Sequence, residues 1–173
     1  MAESAEVILQ DHWDMMILTG GGILPEKYYR HKVSGYKQDG RNEVEELMIQ
    51  KAVESNTPLL GICREMQQIN GYFGGNMSSS EKLIFPRPVR VEYSVVLKEK
   101  GITFQVYNYH SDVVYYDDLA NELQAIAIDS DNGIVKAFRN RDYKTIGFQW
   151  HLERKCSDQC CIDITKKLIS SIM

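Results

Sequence analysis

The chain has 173 residues, of which 43% are hydrophobic and 25% charged, and its formal net charge is -4. This length and hydrophobic content predict one domain, residues 1–173, with a single core. The acidic balance argues against nucleic acid or an anionic membrane as the partner. Because the apolar runs are too short to span a bilayer and MAESAEVILQ lacks the basic start of a signal peptide, we expect a cytoplasmic protein.

The four cysteines match neither a disulfide framework nor a common zinc pattern. Cys63 stands alone, whereas Cys156, Cys160 and Cys161 crowd near the C-terminus. A structural zinc site is the less favoured interpretation of these three, and a buried helix face is the favoured one. We therefore predict no metal ion and no organic cofactor.

Strand-like and helix-like segments alternate in the first half, which favours an α/β sheet with helices on its faces. Residues 14–19 (DMMILT) form an apolar run that ends in a glycine triplet, so they predict a strand that leads into a glycine loop. One helical face is then predicted, closed by Asn56 and Pro58, from the spacing of Val44, Leu47, Met48 and Ala52.

The second half changes to period-two alternation, which predicts antiparallel or edge strands. Extended runs are predicted at residues 89–97, 102–109, 125–128, 134–138 and 145–150. The sequence Asp131-Asn132-Gly133 between two of them is a hairpin turn signal. A closing amphipathic helix is predicted from Ile162, Thr165, Leu168, Ile169 and Ile172.

The cysteine in LLGICREMQQIN, residues 59–70, lies where a buried strand is predicted to turn sharply into a helix. Unpaired N–H groups and the positive end of the helix dipole favour a thiolate at such a position. The amide of Arg64 can then point at a developing oxyanion, as in a nucleophile elbow. A second donor is expected from the loop Gly20-Gly21-Gly22, because only glycine lets backbone approach a substrate so closely.

A cysteine nucleophile needs a base, and His151 lies just past the apolar strand TIGFQW. Glu153 is two residues further on, and positions i and i+2 of an extended chain point to the same side. Glu153 can therefore fix the tautomer of His151, and Cys63 completes a predicted triad. Each signal alone also fits a buried cysteine, a core histidine or a simple turn. Their joint occurrence in this order favours catalysis.

Four segments resemble the class I glutamine amidotransferase-like superfamily, and most closely the γ-glutamyl-γ-aminobutyrate hydrolase (peptidase C26) family. They are LTGGGILPEKYY at 18–29, PLLGICREMQQIN at 58–70, YNYHSD at 107–112 and IGFQWHLE at 146–153. The resemblance implies a flavodoxin-like fold: an open, mostly parallel sheet with helices on both faces and antiparallel edge strands. Only about a dozen residues precede the first predicted strand, so a βα unit on the order of 30 residues is expected to be missing.

The resemblance also implies hydrolysis of a γ-glutamyl amide to glutamate and an amine through a thioester intermediate. Cys63 would attack the amide carbon, His151 would carry the proton to the leaving amine, and Glu153 would hold His151. Oxyanion binding would fall to the backbone of Gly21, Gly22 and Arg64.

For two side chains of the implied site, the sequence leaves two interpretations open. His110 matches a family position that lines the pocket, so it either contacts substrate or has a structural role. The Arg64 guanidinium either binds the glutamyl carboxylate or forms a surface salt bridge. We expect Arg41 and Glu45 to lie on a solvated helix face.

Three residues depart from the family pattern. Glu65 stands where glycine is usual; its carboxylate would oppose ionisation of Cys63, or it binds a cationic group of the substrate. Leu152 replaces a proline, which should cost about 1 kcal/mol through greater freedom of the unfolded chain. Asp112 replaces a common glutamine and would alter specificity.

Three functions remain open from the sequence. The first is a free-standing hydrolase of a small γ-glutamyl substrate. The second is a glutaminase subunit that supplies ammonia to a synthase partner, and a homodimer is also considered. The third is an inactive or redox-sensing homologue, which would give no acyl-enzyme but would have a readily oxidised Cys63.

Overall fold

The computed structural model describes residues 12–31, 40–79, 91–129, 131–154 and 158–173. Its helices are α1 (Arg41–Ser55), α2 (Arg64–Tyr72) and α3 (Gln159–Ser170), with short 3-10 turns at Glu26–Tyr28 and Tyr116–Asp118. Its strands are β1 (Met16–Leu18), β2 (Leu59–Ile62), β3 (Ser78–Ser79), β4 (Val91–Leu97), β5 (Ile102–Asn108), β6 (Asp112–Val113), β7 (Leu123–Asp129), β8 (Val135–Asn140) and β9 (Thr145–Phe148). None of these helices combines the length and apolar character that crossing a bilayer requires.

Seven of the described strands form one open sheet in the order β1-β2-β9-β8-β7-β4-β5, and β3 pairs with β6 beside it. The pairs β1–β2 and β2–β9 are parallel, whereas the four pairs from β9 to β5 are antiparallel. The predicted α/β class and the flavodoxin-like open sheet are confirmed. Parallel pairing is concentrated among β1, β2 and β9, so their carboxyl ends meet at one edge of the sheet.

Apolar residues alternate between the two faces of the sheet, as the period of a strand requires. Leu59 of β2 packs on the side of α1 and α2, where Ile49, Met66 and Ile69 are buried. Leu60 packs on the opposite side with residues of α3 and the segment after it, Cys161, Ile164 and Ile172. The predicted helices on both faces are therefore confirmed.

The predicted hairpin between β7 and β8 is confirmed by their antiparallel register. Gly133 has φ +66°, a left-handed conformation that glycine adopts without strain. Residues 89 and 90, which were predicted to begin β4, lie outside the described residues. So do residues 1–11, and the expectation of a missing upstream βα unit stays a prediction.

The face that helix α1 buries overlaps only in part with the predicted one, at Ala52 and the half-buried Met48. Val44 is only half-buried, whereas Asn42, Glu45, Ile49 and Ala52 are buried. The predicted solvated position of Glu45 is therefore wrong. The physical reason is that the first turns of α1 pack against the buried Arg64 of α2, which needs a charged partner, and Glu45 also pairs with Arg41 of α1 itself.

The predicted buried helix face of cysteines is confirmed at one position. Cys161 is buried in α3, but Cys160 is exposed, because the first turn of the helix turns that position towards solvent. Cys156 lies outside the described residues.

Candidate active site

Cys63 occupies the predicted strand-to-helix elbow between β2 and α2. Its φ of 57° and ψ of -106° are strained for a residue with a side chain, as expected for a nucleophile elbow. Its amide donates to the Phe148 carbonyl at 2.7 Å, which ties the elbow to β9. A Cβ on Gly61 would lie 2.5 Å from Ile69 Cδ1 and 2.9 Å from the Glu65 carbonyl, so the elbow closes only with glycine there.

Gly20 shows how closely the predicted nucleophile and base approach each other. A Cβ on this residue would lie 3.0 Å from His151 Cε1 and 3.1 Å from Cys63 Cβ. The imidazole and the cysteine side chain therefore flank the same point of the glycine loop. The structure brings the two residues together because each follows one of two adjacent parallel strands.

Glu153 contacts the imidazole of His151. His151 Nδ1 lies 2.5 Å from Glu153 Oε1, and a carboxylate accepts, so Nδ1 carries the proton and Nε2 is left as the basic nitrogen. Desolvation acts to raise the pKa of Glu153, but the hydrogen bond from His151, a backbone hydrogen bond and the nearby positive charges together outweigh it, and the pKa falls. Glu153 thus stays ionised and stabilises an imidazolium.

The resting state of the thiol differs from the sequence prediction. Burial raises the pKa of Cys63 to about 12, and the charge of Glu65 adds to this, while the amide of Arg64 opposes it. The expected resting thiolate is therefore wrong, because desolvation outweighs the helix terminus. The predicted opposition of Glu65 to ionisation is confirmed in direction.

The glycine loop and the elbow border one hollow of about 260 Å³. Gly21 has φ +115° and Gly22 φ +83°, conformations that a side chain would strain. The hollow is lined by all but one of the predicted site residues and by several others: Gly21, Gly22, Ile23, Cys63, Arg64, Gln67, Tyr109, His110, Ser111, Asp112, His151 and Arg154. Glu153 is not among these lining residues, but it contacts His151, which is.

The Arg64 side chain is not at the surface, so a surface salt bridge is wrong. It is 4% exposed, and its Nη1 contacts Glu45 Oε2 at 2.6 Å and Glu65 Oε1 at 2.5 Å. Its Nε is buried and has no hydrogen-bond partner among the described residues. That Nε lies 3.8 Å from where a Cβ of Gly22 would be, so the free donor faces the glycine loop.

His110 lies in the hollow with one nitrogen used and one free. Nδ1 is 2.7 Å from the Asp112 carbonyl oxygen, so it donates there and Nε2 is an acceptor. Nε2 is buried without a partner among the residues described. Burial, and next the nearby Lys136, lower the pKa of His110 well below its ordinary value. His110 is therefore neutral, with a lone pair available to a ligand.

Two residues in the hollow were not anticipated from the sequence. Gln67 donates to the Asp112 carbonyl at 2.7 Å and lies one helical turn after Cys63, a spacing that could have revealed it. Arg154 stacks on Tyr109, with its guanidinium carbon 4.0 Å from the ring centroid, and Tyr109 meets the His151 ring edge-on. A cation thus stands at the rim beside the base.

The peptidase C26 family model matches residues 2–153. The chain belongs to the peptidase C26 family. Its fold is similar to that of a candidate GMP synthase component from Thermoplasma acidophilum, with a TM-score of 0.65 over 98% of this chain and 76% of that one at 20% identity.

Two relatives illustrate what this peptidase C26 chain is similar to. It is 31% identical over 140 residues to the γ-glutamyl-CDP-amidate hydrolase of Campylobacter jejuni, covering 81% of this chain and 62% of the relative. It is 31% identical over 101 residues to anthranilate synthase component 2 of Methanothermobacter thermautotrophicus, covering 57% of this chain and 50% of the relative. The chain thus spans about three fifths and one half of their lengths.

Proposed function

We propose that this chain hydrolyses a γ-glutamyl amide bond, releasing glutamate and an amine. The single observation that carries the proposal is that the side chains of Cys63 and His151 both lie next to Gly20, while Glu153 contacts Nδ1 of the imidazole. Membership of the peptidase C26 family and the likeness to a γ-glutamyl-CDP-amidate hydrolase support this substrate class.

The proposed reaction begins with transfer of the thiol proton to Nε2 of His151 as the sulfur of Cys63 attacks the amide carbon. The oxyanion receives hydrogen bonds from the amides of Arg64 and the glycine loop, at Gly22. When the carbon–nitrogen bond breaks, the amine takes the proton from His151 and a thioester remains. Water, deprotonated by the same imidazole, then releases glutamate and restores the thiol.

The raised pKa of the thiol fits a concerted start to this sequence. A buried neutral thiol beside a neutral imidazole needs no separated charge until the substrate is in place. Redox-sensing thiols usually have a low pKa and solvent access, and Cys63 has neither. The buried thiol therefore speaks against the redox-sensing alternative.

The glutamyl end of the substrate has two candidate partners in the hollow. The buried Nε of Arg64 is a free cationic donor that suits a carboxylate, and the free Nε2 of neutral His110 suits an ammonium or hydroxyl donor. Both groups remain without partners among the described residues, which is costly unless a ligand or water satisfies them.

The experiment is covalent labelling together with turnover. We expect 6-diazo-5-oxo-norleucine to add to Cys63, located by peptide mass spectrometry, and a γ-glutamyl anilide to be cleaved. Cys63→Ala should abolish labelling and reduce turnover by about 10⁴-fold to 10⁶-fold. Wild-type chain that is folded yet neither labels nor turns over would refute the proposal and leave an inactive homologue.

A glutaminase subunit for a synthase partner is the second candidate, favoured by the likeness to an anthranilate synthase component. The same triad would release ammonia from glutamine. Measuring glutamine against γ-glutamyl anilide in the isolated chain separates the two. A folded chain that labels with 6-diazo-5-oxo-norleucine but cleaves neither substrate until a synthase is added would favour the glutaminase role.

A further inference from the structure

Arg41, at the start of α1, contacts three separate parts of the site. Its Nη2 donates to the Thr19 carbonyl at 2.6 Å, and its Nη1 donates to the Gly21 carbonyl at 3.0 Å. Nη2 also lies 2.8 Å from Glu65 Oε1, and Nε lies 2.5 Å from Glu45 Oε1. One guanidinium therefore links the glycine loop to α1 and to the second residue after the nucleophile.

The glycine loop needs such an anchor more than most loops do. Glycine has no side chain to restrict its backbone, so the positive φ values of Gly21 and Gly22 are not fixed by the residues themselves. In a trans peptide unit the carbonyl of one residue points opposite to the N–H of the next. Holding the Gly21 carbonyl on Arg41 therefore turns the Gly22 N–H away from Arg41 and fixes the direction of the candidate oxyanion donor.

Glu65 provides the charge that holds Arg41 in place. Its side chain is fully buried at 0% exposed, and its Oε1 accepts from both Arg41 and Arg64. With Glu45, the cluster contains two arginines and two glutamates, and because burial raises the pKa of Glu65 to about 7, its charges balance above that pH. A glycine at position 65 would leave the two arginines facing one carboxylate, that of Glu45.

We propose that Arg41 is a positioning residue that fixes the oxyanion loop, and that Glu65 acts through Arg41. Neither side chain touches the reacting atoms in this assignment. Its consequence is that loss of Arg41 lowers the rate of the chemical step rather than substrate affinity. The inference rests on the proposed γ-glutamyl hydrolysis, because the rate of that reaction reports on the loop.

The experiment compares kcat and KM for a γ-glutamyl anilide among Arg41→Gln, Arg41→Lys, Glu65→Gln and the double variant of Arg41→Gln with Glu65→Gln. Arg41→Gln should reduce kcat by about 10-fold to 100-fold with KM within about threefold, since a misplaced donor costs rate. Arg41→Lys should recover part of the loss, because it keeps the positive charge but replaces the planar fork of donors with a single nitrogen.

Glu65→Gln keeps an oxygen but removes the charge, so we expect a smaller loss of kcat, about threefold to tenfold. If Glu65 acts through Arg41, the double variant is no slower than Arg41→Gln alone. Independent, multiplying losses would overturn the role of Glu65. Retention of kcat within twofold by folded Arg41→Gln would overturn the role of Arg41.

Arg139→Gln is the matched control. Its side chain is 39% exposed against 37% for Arg41, and it pairs with Glu99 at 2.8 Å, away from the hollow. It should leave kcat unchanged. Melting curves report folding of each variant; if Arg41→Gln does not fold, the kcat of Arg41→Lys decides, and a wild-type value there overturns the proposal.

Labelling keeps the two proposals apart. Wild-type chain that neither labels with 6-diazo-5-oxo-norleucine nor cleaves the anilide contradicts the hydrolase assignment itself. Wild-type chain that labels and cleaves, together with Arg41→Gln that labels and cleaves equally well, contradicts only the anchor. The expected result is labelling in both and slow turnover in Arg41→Gln.

Discussion

Helices α1 and α3 pack on opposite faces of the sheet and bury different kinds of side chain. The buried residues of α3 are Cys161, Ile164 and Thr165, none of them charged. The buried residues of α1 include Asn42 and Glu45, which face the arginines of the site. Burial of the apolar side chains around α3 stabilises the fold. Burial of the charged side chains around α1 costs desolvation free energy, and we attribute their presence to the way they position the site.

The first test of this comparison removes an apolar side chain from the core that α3 covers. Ile126 of β7 is 2% exposed in the cluster that α3 covers, so Ile126→Ala should reduce the free energy of unfolding by about 2–5 kcal/mol. Denaturant melts measure it. Labelling of Cys63 in the folded protein should not change. The control Ile17→Ala, at a side chain 52% exposed, should cost under about 1 kcal/mol; equal losses would contradict the assigned core.

The second test breaks the chemistry and spares the fold. Gly20→Ala places a methyl group 3.0 Å from His151 Cε1 and 3.1 Å from Cys63 Cβ, which forces them apart. We expect kcat for a γ-glutamyl anilide to fall by about 100-fold, the usual cost of a small misplacement at a reacting centre. The melting temperature should change little. Full activity in this variant would show that the two side chains do not act together.

The third test measures how the charge of Glu65 affects the thiol of Cys63. Glu65→Gln removes a negative charge that raises the pKa of Cys63, so that pKa should fall. The pH dependence of alkylation by iodoacetamide measures it, with Glu46→Gln on the outer side of α1 as the control. An unchanged profile in Glu65→Gln would remove Glu65 as an electrostatic neighbour of the thiol.

Glu65→Gln should also change how the stability of the fold depends on pH. Burial, and next the charge of Glu45, raise the pKa of Glu65 from 4.5 to about 7. The folded state therefore holds a proton that the unfolded state releases, and this contribution is lost as pH rises from 4.5 through 7. Glu65→Gln has no such pH-dependent loss of stability. Its melting temperature relative to that of the wild type should therefore rise by a few degrees as the pH increases across this window. A constant difference would contradict the raised pKa.

The smallest effect is expected at the rim. Arg154 opposes the raised pKa of Cys63, but it is an exposed side chain and solvent screens its charge. Arg154→Gln should change kcat by less than about threefold and raise the thiol pKa slightly. A larger loss would mean that its contact with the Tyr109 ring positions His151.

Apolar spacing predicted α1 and α3 and part of what they bury: Ala52 in α1, and Thr165 and Ile172 in and after α3. Ile164, which the spacing did not single out, is also buried, because burial of its apolar area stabilises the fold. Glu45 is buried because Arg64, on α2, pairs with it, in addition to Arg41 one turn earlier on α1. Spacing within one helix cannot reveal a partner that lies on another element.

The candidate site was predictable where backbone shape sets it. The glycine triplet, the elbow at Cys63 and the position of His151 after a strand follow from local sequence, and the parallel register of β2 and β9 unites them. The protonated thiol was not predictable, because it depends on how completely the surrounding chain excludes water. Nor was the anchoring role proposed for Arg41, whose partners in the glycine loop and at Glu65 are 20 or more positions away.

The buried, protonated sulfur has a consequence for designing a covalent inhibitor. Reagents that depend on a ready-made anion would react with bystander thiols first, since most exposed cysteines ionise far more easily. A compound would gain its selectivity from being seated beside His151, where the proton can leave as the bond to sulfur forms. Mild warheads on a well-fitting glutamyl scaffold would therefore discriminate better than stronger electrophiles.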